Sequence, residues 1–253
     1  MQVTIIMPAL NEEANIQPAI TSTLKAFSDF SLDGEILVVN DGSTDRTEAL
    51  ASELLKKDNR IRILRHDNPA GIGASFWDGV DNALGDAICM LPGDNENDPV
   101  EILRYFNLLE KADIINPYVT NKRNRPVLRN FLSFLYQLII NITFFTRLKY
   151  TNGTVLYRKS LLEELEHRCK GFFFQTDILI RLIKKGYLFV EVPYSLRKRE
   201  KGRSKAVNLK SLIEVAKGYL KLVKDIYFSE ADTRKAFSDD SVTKKYHNQL
   251  ARK

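Results

Sequence analysis

The sequence predicts an α/β fold with a mostly parallel β-sheet flanked by helices. Short apolar strands alternate with helical segments through the first half of the chain, and each strand runs directly into a polar turn and a helix start. This order is typical of parallel strands that are joined by crossover helices. With 253 residues, the chain is long enough for one sizeable domain with its own core.

The first two strands end in acidic turns. The strand over residues 3–8 leads into Pro8-Ala9-Leu10-Asn11-Glu12-Glu13, and the second drops from Val38-Val39 into Asn40-Asp41-Gly42-Ser43. Ser43 or Thr44 is expected to cap the following helix, with Asp45 in its first turn. Ligands of open α/β sheets bind at the carboxyl ends of the strands, so these turns predict a ligand crevice.

The next two strands, 61–64 and 87–91, also end in turns of special composition. The first leads into a turn that contains Gly71 and Gly73, before a helix over 75–84. The second ends in the acidic run Pro92-Gly93-Asp94-Asn95-Glu96-Asn97-Asp98. On the strand-end rule, the carboxylates of the three acidic turns gather at one edge of the sheet.

In this order, the segments PALNEEANI, VVNDGSTDRT, NPAGIGAS and PGDNEND resemble the family 2 glycosyltransferases, which have the GT-A nucleotide-sugar fold. The spacing is similar to that of the branch containing dolichyl-phosphate mannose synthases and polyprenyl-phosphate glycosyltransferases. The resemblance covers roughly residues 1–210. It implies a GT-A, Rossmann-like sheet and transfer of a sugar from a nucleotide-diphosphate sugar.

The resemblance implies a nucleotide site on the first three turns. Pro8, Asn11 and Glu12 would line the base and ribose, and Asp41 would contact one of them. Gly71 and Gly73 would let the backbone approach the donor closely. Asp78, on the helix that follows, is a further candidate for this site, although a single Asp on a helix more often lies on a solvated face.

The acidic turn predicts a site for Mg²⁺ or Mn²⁺, because hard divalent ions prefer oxygen ligands. Asp94 and Glu96 are two residues apart, so they would share one side of an extended segment; they are the predicted metal pair, with Asp98 in reserve. Asp94 is also the predicted catalytic residue. Pro92 stands where the resembling synthases carry the first Asp of Asp-x-Asp. A solvated acidic loop is the alternative interpretation.

The second half is basic and apolar. No Asp or Glu occurs between Ile114 and Leu162, and basic residues flank the apolar segment 130–146. A helix over 127–147 could lie at a membrane interface, or it could be a buried core helix. The resemblance favours an interface helix, with Arg123, Arg125 and Arg129 holding an acceptor phosphate.

Two further segments complete the predicted site. By resemblance, Asp177 faces the acceptor or the sugar, and it would act as a base only for a hydroxyl acceptor. The basic segment 197–205 resembles a lid over the diphosphate, with contacts from Arg199, Ser204 and Lys205. A solvated charge run or a nucleic-acid patch is the alternative for this segment.

The composition agrees with phosphate-bearing ligands. The net charge is +6 and the isoelectric point is about 9.1. We expect one GT-A domain over 1–228, divided into a nucleotide-sugar half (1–116) and an acceptor half (117–228), followed by a polar, flexible tail over 229–253. Without a signal peptide or a spanning segment in the sequence, the expected place is the cytoplasm, at the inner face of a membrane.

The sequence therefore predicts a glycosyltransferase that uses a UDP- or GDP-sugar and a polyprenyl phosphate, with no nucleic-acid partner. Three alternatives stay open. A soluble transferase of the same family would act on a glycan hydroxyl, and a binding protein would hold the donor without turnover. A nucleotidyltransferase is a weaker candidate, because its usual glycine-rich loop at the first strand end is absent.

Overall fold

The computed structural model describes residues 1–121, 127–196, 209–228 and 236–251, without the side chains of residues 127–129 and 209–210. In this part of the chain, seven strands form one sheet: β1 (Val3–Ala9), β2 (Gly34–Asp41), β3 (Ile61–His66), β4 (Ala87–Met90), β5 (Ile114–Val119), β6 (Leu156–Arg158) and β7 (Phe189–Tyr194). The strand order is β3-β2-β1-β4-β6-β5-β7. β6 is antiparallel to both of its neighbours, and the other pairings are parallel. The predicted mostly parallel α/β sheet is confirmed.

Helices cover both faces of the sheet. They are α1 (Ile16–Asp29), α2 (Thr47–Leu55), α3 (Ile72–Asn82), α4 (Pro99–Leu103), α5 (Val127–Phe144), α6 (Lys159–Glu163), α7 (Phe174–Lys185), α8 (Leu209–Tyr227) and α9 (Val242–Leu250), with a 3₁₀ turn over Phe106–Glu110. Because side chains of a strand alternate between faces, Ile6 and Ile5 of β1 enter different apolar clusters. The cluster of Ile6 includes residues of α3, α5, α7 and α8, whereas that of Ile5 includes residues of α1 and α4.

The second helix begins later than the sequence predicted. α2 starts at Thr47, and the carboxylate of Asp45 accepts hydrogen bonds from the Thr47 N–H, at 2.9 Å, and from its hydroxyl. The N-cap position is Arg46 and makes no side-chain cap bond, so neither Ser43 nor Thr44 caps this helix; Asp45, one residue before the N-cap, satisfies the first helical N–H instead. Ser43 and Thr44 bond to the first turn, as described below.

The chain end is not a loose tail over the described residues 236–251. The side chain of Ser241 caps α9 by accepting a hydrogen bond from the Lys244 N–H. The fully buried carboxylate of Asp113 accepts from the N–H groups of Val242, at 2.7 Å, and Thr243, at 3.0 Å, and from Arg158 Nε at 3.0 Å. The expectation of a flexible tail is wrong there, because this long-range anchor has no periodic apolar signature in the sequence.

α5 and α8 are packed on one another through polar and aromatic contacts. The hydroxyls of Thr143 and Tyr219 lie 2.8 Å apart, and the Tyr227 ring stacks on that of Phe144 with centroids 6.2 Å apart. No helix within the described ranges is long and apolar enough to cross a membrane.

Candidate functional site

The predicted site turns lie side by side at the carboxyl edge of the sheet. β3, β2, β1 and β4 are consecutive neighbours, and all three pairings between them are parallel. The turns that follow these strands therefore share one edge, as the strand-end rule predicts. The backbone also links the first turn to the acidic turn, since the Gly93 N–H donates to the Pro8 carbonyl at 2.9 Å.

The first two turns hold each other through reciprocal hydrogen bonds. The Asn11 N–H donates to Ser43 Oγ at 3.0 Å, and Asn11 Oδ1 accepts from the Thr44 N–H at 2.8 Å. The Glu12 N–H donates to Thr47 Oγ1 at 2.8 Å. Asn11 adopts a left-handed φ of +57°, a conformation that asparagine tolerates better than most residues. Both turns are therefore held in shape by contacts within the protein.

The carboxylate of Asp41, at the end of β2, contacts the end of β3 and the turn that follows β3. Asp41 is 4% exposed, and it accepts from the N–H groups of Ala70, at 2.7 Å, and Gly71, at 2.9 Å. Its Oδ1 also lies 2.8 Å from Nδ1 of His66, the last residue of β3. An ionised carboxylate offers about four lone-pair sites, so three are used and roughly one remains for a ligand.

The glycine turn packs against a loop that the sequence did not single out. A Cβ on Gly73 would lie 2.4 Å from the Lys170 carbonyl oxygen, so only glycine fits there. The loop is fastened to α3, because Trp77 Nε1 donates to the Cys169 carbonyl at 3.1 Å and Arg168 pairs with Asp81 at 2.6 Å. No local sequence motif predicts these contacts, because they join residues more than 80 positions apart in the chain.

A cavity of about 610 Å³ opens between these elements. Asp41, Pro69 and Gly71 line it on the side of the strand ends. The loop over residues 167–172 and the polar face of α8, with Glu214 and Lys217, line the other side.

Of the predicted nucleotide residues, Asp41 and Gly71 line this cavity, and the first turn contributes Leu10. The other four do not line it: Pro8, Asn11, Glu12 and Gly73. The cavity has the size that small-molecule sites have.

In the acidic turn, the two predicted metal ligands are neighbours, but not for the reason expected. Asp94 Oδ1 accepts from the Glu96 N–H at 3.1 Å, and Asn95 between them has a left-handed φ of +58°. The segment is a turn and is not extended. Asp98 caps α4 by accepting from the Val100 N–H at 3.1 Å. No group of three or more His, Cys, Asp or Glu side chains suited to a metal occurs among the described residues.

Both predicted basic segments start beside the acidic turn. Asn121 Nδ2 donates to the Leu196 carbonyl at 2.7 Å, and Asn121 Oδ1 accepts from the Leu196 N–H at 3.1 Å. Leu196 also forms an antiparallel bridge with Asn97. The residues predicted for the acceptor phosphate and the lid lie outside the described residues, or have side chains that do: Arg123, Arg125, Arg129, Arg199, Ser204 and Lys205.

Asp177 is enclosed rather than presented to a ligand. It is 1% exposed, and Arg181 Nε donates to both of its carboxylate oxygens, at 3.1 and 3.0 Å. Arg181 Nη2 also donates to Asp225 at 2.6 Å, which ties α7 to α8. Burial raises the pKa of Asp177, and the Arg181 guanidinium offsets that rise only in part. This geometry favours a role in holding α7 and α8 together over the predicted role as a base.

The helices α5 and α8 present a broad apolar face to solvent, which we call the α5–α8 surface. Ile140 and Phe144 of α5 are buried, so the helix packs on the core with only part of its circumference. The exposed side chains are Phe131, Leu132, Phe134, Leu135, Leu138, Ile139 and Ile142 on α5, Phe145 just after it, and Leu212, Ile213 and Leu220 on α8. Of the two interpretations of the helix predicted over 127–147, the structure excludes a wholly buried core helix.

Comparison with known proteins identifies a family. The family model described as "Glycosyl transferase family 2" matches residues 4–166. A polyprenol monophosphomannose synthase of Mycolicibacterium smegmatis is 32% identical over 221 residues, which cover 79% of each chain. An undecaprenyl-phosphate mannosyltransferase of Micrococcus luteus is 26% identical, covering 81% of this chain and 87% of the relative.

A solved structure supports the fold. Glucosyl-3-phosphoglycerate synthase of Mycobacterium tuberculosis, crystallised with Mg²⁺ and UDP, superposes with a TM-score of 0.67. The match has 17% sequence identity and covers 88% of this chain and 79% of that one. At this identity the likeness concerns the fold alone, and the fold is the GT-A type expected from the sequence.

Proposed function

The chain belongs to glycosyl transferase family 2, and from this premise we propose that it transfers a sugar from a nucleotide-diphosphate sugar to a polyprenyl phosphate. It is a nucleotide-sugar-dependent glycosyltransferase. The observation that carries the acceptor class is the α5–α8 surface, an exposed apolar face on the half of the chain that would receive the acceptor. The two relatives named above carry polyprenol or polyprenyl phosphate in their names.

The donor is a UDP- or GDP-sugar that enters the cavity beside the strand-end turns. Pro8, Asn11 and Glu12 line its base and ribose, and Asp41 meets one of them with its remaining lone pair. Gly71 lines the cavity and brings backbone close to the donor, whereas Gly73 lets α3 approach the Lys170 loop on the other side of the cavity. The reciprocal bonds between the turns support this assignment, because a preshaped site loses less ordering entropy on binding.

Asp94 and Glu96 would hold a Mg²⁺ or Mn²⁺ ion together with the donor diphosphate. The donor set fits such an ion, since Mg²⁺ is usually bound by one or two carboxylates plus substrate phosphates and water. The bond from the Glu96 N–H to Asp94 fixes one of these carboxylates in the turn. When bound, the ion neutralises charge on the departing nucleoside diphosphate.

The acceptor reaches the site from a membrane surface. The α5–α8 surface enters the interface of the cytoplasmic leaflet, and the exposed Arg147 and Lys224 at its borders attract anionic headgroups. Arg123, Arg125 and Arg129 are the candidate residues for the lipid phosphate, because arginine offers a fork of donors, and Arg199, Ser204 and Lys205 are the candidates for the donor diphosphate. The described ends of both segments, Asn121 and Leu196, meet beside the acidic turn, which supports these roles.

The transfer requires no strong base in this scheme. An oxygen of the acceptor phosphate is already nucleophilic, so it attacks the anomeric carbon while the bond from that carbon to the diphosphate breaks. The protein then contributes positioning and charge stabilisation. The enclosed position of Asp177 agrees with a transfer that uses no general base, because its carboxylate is bound by Arg181 and is almost fully buried.

The test is nucleoside diphosphate release from a panel of UDP- and GDP-sugars, with Mg²⁺ or Mn²⁺. Undecaprenyl phosphate is the acceptor, and undecaprenol, which lacks the phosphate, is its matched control. Release that requires the phosphorylated lipid supports the proposal. Release with an oligosaccharide and not with the lipid would assign a glycan hydroxyl acceptor. No release from any pair, with donor binding intact, would indicate a binding protein without turnover.

A further inference from the structure

His66 lies between two carboxylates beneath the proposed donor site. Its Nδ1 is 2.8 Å from Asp41 Oδ1, and its Nε2 is 3.0 Å from Asp78 Oδ2. The histidine is largely enclosed, whereas the side chain of Asp78 is 49% exposed. Because Asp41 also accepts from Ala70 and Gly71, a chain of polar contacts runs from the body of α3 to the turn before it.

These contacts close a ring. This closed circuit of contacts links Asp78 on α3 to His66 at the end of β3, and His66 to Asp41 at the end of β2. Asp41 in turn contacts Gly71, the residue before α3. The start of α3 is thus held against β2 from two directions, through the backbone of the turn and through the imidazole. A contact chain that closes on itself restricts rotation of each member more than any one of its hydrogen bonds does alone.

Each ring nitrogen of His66 lies next to a carboxylate oxygen. A neutral imidazole has one N–H, so it can donate to only one of two ionised carboxylates. The doubly protonated ring donates to both, and it places a positive charge between Asp41 and Asp78. Asp41 Oδ1 contacts His66 and Ala70, whereas Oδ2 contacts Gly71 alone among these three, so the imidazole and the turn together set how the carboxylate is rotated.

We propose that His66 is a positioning residue for the nucleotide donor: held by Asp78, it orients the Asp41 carboxylate and the Ala70–Gly71 turn that receive the base or ribose. The inference rests on the proposed function, since it takes the cavity beside Asp41 to be the donor site. His66 itself does not touch the donor. Asp78, for which the sequence left a site role and a solvated face open, supports it from α3.

Two substitutions at His66 separate its contact with Asp41 from its contact with Asp78. Asn places an amide near the position of imidazole Nδ1, so His66→Asn retains the bond to Asp41 and loses the one to Asp78. Gln places its amide near Nε2, so His66→Gln retains the contact with Asp78 and loses the one with Asp41. Asp78→Asn removes the second carboxylate charge, and His247→Asn on α9 is the matched control away from the site.

The first measurement is binding of UDP and GDP by calorimetry, followed by steady-state kinetics with the preferred donor. We expect His66→Gln to weaken nucleoside diphosphate binding and to raise the donor KM by about tenfold, with kcat changed less than about twofold, because one hydrogen bond to a charged group is lost. His66→Asn and Asp78→Asn should each change the donor KM by about threefold, since only the support is removed. His247→Asn should behave as wild type.

Three outcomes would overturn the proposal. His66→Gln could bind nucleoside diphosphate as wild type does, or lose kcat with an unchanged donor KM, or behave identically to His66→Asn. If His66→Gln unfolds, the milder His66→Asn and Asp78→Asn variants decide by the same split between KM and kcat. A wild-type protein that binds neither UDP nor GDP would instead refute the donor assignment itself, and this inference with it.

Discussion

The strand-end turns over residues 8–12, 40–44 and 69–73 and the α5–α8 surface are built in opposite ways. We call the first region the donor edge, because the donor is proposed to bind there. At the donor edge, the polar groups of neighbouring turns bind one another, as Asn11 does with Ser43 and Thr44, and as Asp41 does with Gly71. On the α5–α8 surface, large apolar side chains lie in solvent, with Phe134 at 63% and Ile142 at 65% exposed. The polar groups of the first region are partnered within the protein, whereas the apolar side chains of the second are exposed.

This difference has an energetic meaning. Preshaped turns lose little conformational entropy on binding, so a small ligand can be held by few contacts. An exposed aromatic or aliphatic side chain stabilises an assembly by roughly 1.5–3 kcal/mol when it becomes fully buried. Soluble monomers rarely expose contiguous apolar patches larger than a few hundred Å². Changes at the donor edge should therefore act on turnover and donor affinity, and changes on the α5–α8 surface should act on lipid affinity.

The largest effect is expected at the acidic turn. Asp94→Ala removes one of the two carboxylates proposed to hold the metal ion, and it leaves the Glu96 N–H without its acceptor. Losing several kcal/mol of leaving-group stabilisation should lower kcat by about 10²–10³-fold. The measurement is nucleoside diphosphate release, with Asp33→Ala, an exposed carboxylate before β2, as control. Near-normal turnover in Asp94→Ala would refute the metal assignment and leave Asp94 a turn residue.

The second effect separates the two regions most directly. Phe134→Ser combined with Ile142→Ser removes two exposed apolar side chains of α5, so binding to anionic phospholipid vesicles should weaken by about 100-fold. The melting temperature and the affinity for UDP or GDP should not change, because neither side chain is buried in the free protein. Leu84→Ser, an equally exposed leucine in the loop before β4, is the matched control for vesicle co-sedimentation.

Unchanged vesicle binding in that double variant would break the comparison. The α5–α8 surface would then be covered by something other than lipid, or would serve no docking role. A parallel fall in nucleoside diphosphate affinity would break it in the other direction, since it would join the two regions through α8, which lines the cavity with Glu214 and Lys217.

The sequence predicted the grouping of the strand-end turns at one edge of the sheet, because that information is local. Each strand, its polar turn and the following helix start are contiguous in the sequence. Parallel pairing of the strands then places the turns at the same edge of the sheet. Asp41 and Gly71 were singled out in this way. Their mutual hydrogen bond was not, since it joins residues 30 positions apart and competes with the expected ligand for the same oxygens.

Long-range contacts explain what the sequence did not predict. The loop at Lys170 that limits Gly73 to glycine carries no motif, and neither does Asp113, which anchors the last helix from 130 positions away. Asp177 was assigned from its place in a motif, whereas its role depends on Arg181, one turn along, and on Asp225 in α8. For α5, the composition left a core helix and an interface helix open, and only the packing distinguishes them.

The third effect tests how tightly the donor edge is shaped. Gly73→Ala would place a Cβ 2.4 Å from the Lys170 carbonyl oxygen, so the glycine turn and the loop must separate. Such overpacking typically costs about 1–3 kcal/mol, and we expect roughly a tenfold weaker affinity for nucleoside diphosphate. Calorimetry and thermal unfolding report the two consequences, and vesicle binding should stay normal.

Gly171→Ala is the control for this strain. Its Cβ would meet Glu214 Oε2 at 3.4 Å, an ordinary contact with a flexible side chain. If the two alanine variants bind nucleoside diphosphate equally well, the close approach at Gly73 does not shape the donor site. The claim that the donor edge is tightly shaped would then fail at this position.

The smallest effect belongs to α9, which lies away from both regions, at the amino-terminal ends of β5 and β7. Thr243 Oγ1 accepts from the Leu188 N–H at 2.8 Å and donates to buried Asp113, so Thr243→Val leaves both groups short of a partner. The free energy of unfolding should fall by about 1–3 kcal/mol, the cost of unsatisfied buried groups. Thr243→Ser retains the hydroxyl and should lose less. Donor affinity and vesicle binding should match wild type in both variants, because no ligand is proposed at this edge; a change in either would mean that α9 stabilises one of the two regions through the sheet.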